Sequence, residues 1–271
     1  MSMQVAELHF RSAPKYDSQT IVARVEELIQ SGIELPGDCD EQGMLLFFHN
    51  NYSVQYKDGS LPAQTTVLAT DKAPDPDAYM SRVQQSWSCE DADQRLAECS
   101  HSCVVTEMLA RALEPVDRLR LFHGVLQAVV EIAEPAAISF LHSHQVVAPE
   151  RYLESCSQDP IMRTGSLNVR FYNVSNSEGD MIMDTRGLEE VGLHDLQCHY
   201  HGLDPDEVSR VLYNTALYIF ENGAVIESGQ TVSGVGPDSQ WLCQFENSML
   251  EPKREVLDLN PGDSFAAGQR N

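Results

Sequence analysis

The chain has 271 residues, with 18 Lys and Arg against 41 Asp and Glu, a formal net charge of −23. That field opposes phosphate backbones and anionic lipid surfaces, which excludes nucleic acid and membrane surfaces as expected partners and favours a basic protein. The hydrophobic fraction of 42% is enough for a sizeable core, and no apolar run reaches the roughly 20 residues that span a bilayer. The opening run Met1 to Glu7 has no basic stretch followed by an apolar one, so a secretory signal is not expected and a cytoplasmic address follows. Seven cysteines, Cys39, Cys89, Cys99, Cys103, Cys156, Cys198 and Cys243, form an odd, scattered set that reads as reduced buried thiols. The acidity is spread out: 8 basic and 18 acidic residues through Pro115 give −10, and 10 and 23 beyond it give −13.

The first part, residues 1–113, reads as β-α-β-β-α-β, a ferredoxin-like pattern. Leu8 to Phe10 is a short strand. Asp17 or Ser18 caps a helix with the stripe Ile21, Val25, Leu28 and Ile29, and Gly32 lies just past its end. Met44 to His49 is a buried strand. Tyr52 to Tyr56 and Thr65 to Ala69 flank the turn Lys57-Asp58-Gly59-Ser60, and Pro62 belongs near a sheet edge. Asp75-Pro76-Asp77 starts a helix carrying Tyr79, Met80, Val83 and Trp87; a short helix over 91–99 and a strand over 103–106 follow.

The second part, residues 114–271, opens with Glu114-Pro115 and a helix striped by Leu119, Phe122, Leu126, Val129 and Val130. Ala137 to His144 reads as a strand. Leu167 to Val174 alternates, with Leu167, Val169 and Phe171 on one side and Asn168, Arg170 and Tyr172 on the other. Met181 to Met183 and Leu196 to His201 are further strands. Pro205 to Glu221 is the best-marked helix, with Asp204 as cap, Glu207 reaching back, and Asn222-Gly223 as the stop. Ala224 to Ile226, Trp241 to Phe245 and Glu255 to Leu259 complete the strands. The expected class is α+β: a two-layer sandwich whose ferredoxin-like part packs against a second α+β part with a mostly antiparallel sheet, or one continuous domain.

Candidate chemistry is sparse. His199 and His201 alternate onto one face of a strand, and His142 and His144 repeat the spacing; two such pairs could supply neutral nitrogens to one zinc ion. Cys99, His101 and Cys103 lack the second ligand pair of a structural zinc module. The glycines of Ser228 to Pro237 lack the lysine of a phosphate loop and read as a sheet connection. No GxSxG elbow is present, and Cys198 and His199 face opposite ways on a strand. Arg170, Asp184 and Arg186 read either as the lining of an anion-binding pocket or as a structural ion pair.

The stretch from Met183 to Val232 resembles an uncharacterised bacterial domain-of-unknown-function family (DUF4261-like), through Asp184-Thr185-Arg186-Gly187-Leu188, Asp195 to His199 and Gly229 to Val232. Similarity extends to Gln85-Ser86-Trp87, Asn168-Val169-Arg170 and Asn260-Pro261-Gly262. The resemblance implies a bacterial, cytoplasmic setting and brings no catalytic residues, while His201 and Arg186 depart from the pattern. The expected function is a non-catalytic protein-interaction factor, such as a toxin-immunity or secretion-accessory protein. A zinc-binding hydrolase or regulator and a small-anion sensor with a cleft between the two parts are the alternatives.

Overall fold

A computed structural model describes residues 3–34, 43–57, 59–70 and 73–268, so Cys39 and the turn residue Asp58 lie outside the described residues. The chain divides into two compact units, Met1–Ser166 and Leu167–Asn271. Both are mixed helix and sheet, as an α+β chain should be.

The first unit runs β1 (Val5–Phe10), α1 (Ser18–Ile29), β2 (Ile33–Glu34), β3 (Met44–Tyr56), β4 (Gly59–Thr70), α2 (Pro76–Val83), α3 (Ala92–Ala97), β5 (His101–Met108), α4 (Pro115–Ala133), β6 (Ala137–Phe140), β7 (Gln145–Val147) and α5 (Pro149–Ser155). Asp17 starts α1 by accepting the Thr20 amide at 2.9 Å, and the chain leaves the helix at Gln30, in the left-handed region, two residues before Gly32. The runs on either side of residues 50 and 51 form one strand, β3, whose register with β4 shifts between His49 and Ser53. Pro62 faces Ser53 on β3, beyond the reach of β5, whose pairing with β4 begins at Gln64.

The sheet order is β2-β3-β4-β5-β1-β6-β7, and each pair is antiparallel. A ferredoxin-like order would give β1 a parallel neighbour. Here α4 carries the chain back so that β6 joins β1 on the side away from β5, and β1 is antiparallel to both. Helices also occupy both faces rather than one. Ile21, Val25 and Ile29 of α1 and Phe122, Val125 and Val129 of α4 share a core with Ala6, Leu8 and Phe10. Tyr79, Ala92 and Leu96 form a smaller cluster with Ala137 and Val146 on the opposite face. Because α4 buries its stripe in the first of these cores, residues 114–166 belong with the first unit and the division falls at Ser166, not at 113.

The second unit contains β8 (Asn168–Asn173), β9 (Asp180–Arg186), β10 (Asp195–His201), α6 (Pro205–Asn222), β11 (Thr231–Ser233), β12 (Gln240–Asn247) and β13 (Glu255–Asn260). Its order is β11-β12-β13-β10-β9-β8, antiparallel except for β10 beside β13. Asp204 accepts the Asp206 amide at 2.9 Å to start α6, and Gly223 ends it by donating to Ile219. The stripe Val208, Leu212, Ala216 and Ile219 is buried, and α6 packs across β8, β9 and β10. Ala224 to Ile226, expected as a strand, is an irregular segment leading to β11. With residues 223–230 spent reversing direction after α6, the sheet resumes only at Thr231.

Candidate functional site

Pleating turns Leu196, Cys198 and Tyr200 of β10 to one face and Asp195, Gln197, His199 and His201 to the other. In most half-exposed sheets the second set would face water. Here Asp195 and Gln197 are 0% exposed, Asp184 beside them is 0%, and Asp258 of β13 is 2%. This polar face is a buried layer, and its charges are paired in a chain.

Arg170 and Asp184 stand directly opposite in the β8–β9 register. The guanidinium grips the carboxylate at both ends, Nε to Oδ1 at 2.8 Å and an Nη to Oδ2 at 2.6 Å. Arg254, just before β13, donates one Nη to the same Asp184 oxygen at 2.9 Å and its Nε to Asp195 at 3.1 Å. Asp195 also accepts the Thr185 hydroxyl and the Leu188 amide, each at 3.2 Å. Arg186 extends the chain, 3.7 Å from Asp195 and 3.4 Å from Glu190. Three guanidinium groups and three carboxylates therefore alternate through the layer. Burial pushes the Glu190 carboxyl up to about 7, with the Asp195 charge adding to it and Arg186 opposing. Burial also raises Asp195, against the pull of Arg254 and Arg186.

Of the two expectations for Arg170, Asp184 and Arg186, the structural ion pair describes what is found. Arg170 also donates to the Glu251 carbonyl at 3.0 Å, lies over the Tyr172 ring and is 2% exposed, so it faces protein groups rather than an open anion pocket. Sequence reasoning missed Arg254, Asp195 and Glu190. Arg254 is separated by 59 residues from Asp195, and only the β10–β13 pairing brings them together. A readable signal did exist: Asp184 and Asp195 both fall on the face that alternation makes polar.

The histidines divide differently. His199 and His201 share a face, as alternation requires, but His201 is exposed and bonds Asp180 at 3.0 Å. His199 is covered by the C-terminal strap: a Cβ at Gly268 would lie 2.7 Å from its ring, and Ala267 donates to its carbonyl. His142 and His144 are not on a strand. β6 ends at Phe140, and the four residues Leu141 to His144 turn into β7, with His144 at φ 58°. Alternation cannot align side chains through a turn. His142 is buried against Phe122 and Phe140, its Nδ1 3.2 Å from the Val5 amide. Among the described residues, no group of three or more His, Cys, Asp or Glu is placed to hold a metal ion. Cys99 donates to the Arg95 carbonyl and Cys103 is fully buried, so the Cys99-His101-Cys103 set resolves into a helix-to-strand junction.

A groove of about 710 Å³ opens elsewhere in this unit, between the outer flank of α6 and residues 225–236. Arg210, Asn214 and Tyr218 form the helix wall; Val225, Val232 and Gly236 lie across from them. Tyr218 is 50% exposed and Val225 46%. The glycine-rich stretch is a sheet connection, as its missing lysine suggested: Gly234 donates to Ser239 and closes the β11–β12 hairpin.

Residues 184–260 match the family model of DUF4261, a domain of unknown function. The second unit carries a DUF4261-like segment. It includes the whole groove and every member of the ion chain except Arg170. The DUF4261-like match does not extend to 85–87, to 168–170 or past residue 260. No curated protein and no solved structure matches the chain.

Proposed function

We propose that this protein is a non-catalytic interaction factor that binds a basic protein partner through the groove beside α6. The observation that carries this reading is the groove itself, about 710 Å³, with a half-exposed tyrosine and valine in its lining. Aromatic anchors in a concave, partly apolar site are where binding energy concentrates. The buried ion chain supports the same reading indirectly, because Arg170, Asp184, Arg254 and Asp195 serve each other and hold the sheet that frames the groove. A net charge of −23 would speed encounter with a cationic surface and raise specificity against anionic ones. A cytoplasmic immunity or secretion-accessory protein of a bacterium is a role of this kind. No helix of the described residues is long and apolar enough to cross a membrane.

The test is co-purification from the native cell at low and moderate salt, with the wild type and with Tyr218→Ala. A basic protein should be recovered at low salt, weakened as salt rises, and lose at least about tenfold in affinity on removal of the ring. A protein that stays alone at both salt concentrations sinks the reading.

A further inference from the structure

The groove has a floor of known hydrogen-bonding character. β11 stands at one end of the sheet order, and among the described residues β12 is its sole ladder partner. Register pairs Thr231 with Leu242, Val232 with Trp241 and Ser233 with Gln240. The Cys243 amide donates to the Gln230 carbonyl at 2.8 Å, and the Gly234 amide donates to Ser239 at 2.9 Å. Antiparallel ladders alternate, so Gln230, Val232 and Gly234 turn their backbone groups toward β12. Thr231 and Ser233 therefore turn theirs away. Two N–H and two C=O groups lie in a row on an edge that no other described strand pairs, along residues that line the groove α6 flanks.

We propose that the occupant of this groove is an extended, basic segment of the partner polypeptide, added to the sheet as a further strand on β11. This rests on the interaction reading above and deepens it. An unpaired strand edge is satisfied by another extended backbone, which is the chemistry of strand addition. The edge presents partners at alternate residues, Thr231 and Ser233, so a short donor suffices. Side chains on one face of the added strand would meet Val211, Tyr218 and Val225 of the groove lining, which selects apolar residues at every second position. The intervening positions lie on the other face, where the protein's negative field favours lysine or arginine.

The edge can be blocked without disturbing its own sheet. Proline removes an N–H, and the Ser233 N–H is one that β12 does not use. A displayed library of random peptides about ten residues long, screened against the whole protein, supplies the probes. Selected peptides should alternate apolar residues, carry net positive charge, and lose about tenfold or more in affinity for Ser233→Pro, whose melting temperature should stay near that of the wild type. Methylating every second backbone nitrogen of a selected peptide keeps its charge and side chains and should cost as much against the wild type. That second arm decides the matter if Ser233→Pro does not fold. The proposal is overturned if no peptide is selected, if binding survives both changes, or if the wild type forms a dimer that Ser233→Pro abolishes. A cellular partner kept by Ser233→Pro but lost by Tyr218→Ala would remove the strand mode and leave the interaction reading standing.

Discussion

Arg254 neutralises two buried carboxylates at once, at hydrogen-bonding distance from both Asp184 and Asp195. Replacing one member of a buried pair strands its partner in a medium that solvates charge poorly, at a cost of about 3–5 kcal/mol. Arg254→Met should therefore lower the urea midpoint sharply, with an unchanged slope against denaturant. By contrast, His201→Ala removes only an exposed contact to Asp180, should cost less than about 1 kcal/mol and should leave the midpoint close to that of the wild type. A midpoint for Arg254→Met as mild as that of His201→Ala would mean the chain of charges is not a unit. The alternation of β8 was legible in the sequence, with Arg170 correctly placed opposite Val169 and Phe171. Which face would be buried was not. Arg170 is 2% exposed, while Val169 and Phe171 are half-buried. Hydropathy ranks an isolated side chain, and it cannot register that Asp184 and the Glu251 carbonyl, distant in the chain, cancel the cost.

At the scale of elements, the clearest lesson is α4. Its start and stripe were readable, since Pro115 and the 3.6-residue spacing are local signals. Its allegiance was not, because a helix buried nearly all round carries no mark of which sheet it covers. The turn at Leu141 to His144 was hidden for a related reason: histidine and serine are compatible with strand and turn alike, and only the tight return of β7 onto β6 forces His144 into the left-handed region. The junction of α1 and α4 offers a sharp test. Gly124 sits inside α4, where alanine is favoured by about 1 kcal/mol on helix propensity alone. A Cβ there would lie 2.5 Å from Cγ1 of Ile29, so packing and propensity disagree. Overpacking of about 1–3 kcal/mol should win, and Gly124→Ala should melt lower than the wild type. Ile29→Ala made in the same chain should return part of that loss. Strictly additive effects in the two-variant cycle would show that the helices do not touch there.

At the scale of the whole molecule, the two units should answer acid in opposite ways. Burial lowers His9 and His49 of the first unit to about 4 and holds His123 well below the ordinary histidine value. These rings are neutral when folded and gain protons near pH 6.5 when unfolded. Their stabilising contribution is full above that value and is lost as pH falls toward about 4. Glu190 of the second unit runs the other way: its folded carboxyl titrates near 7 against 4.5 unfolded. Its contribution is full below about 4.5 and is lost as pH rises through 7. Between about pH 7 and pH 5, hydrogen exchange corrected for intrinsic rate should quicken in Met1–Ser166 and slow in Leu167–Asn271. Glu190→Gln should blunt the second trend, and parallel changes in both units would refute the assignment. The same chain of charges also acts on folding as a key acts on a lock. A slip of β8 by one residue would set Val169 or Phe171 against Asp184 and send Arg170 into the apolar layer, stranding charge on both faces. A sheet fastened by oily residues alone would tolerate that error for little; this one proofreads its register.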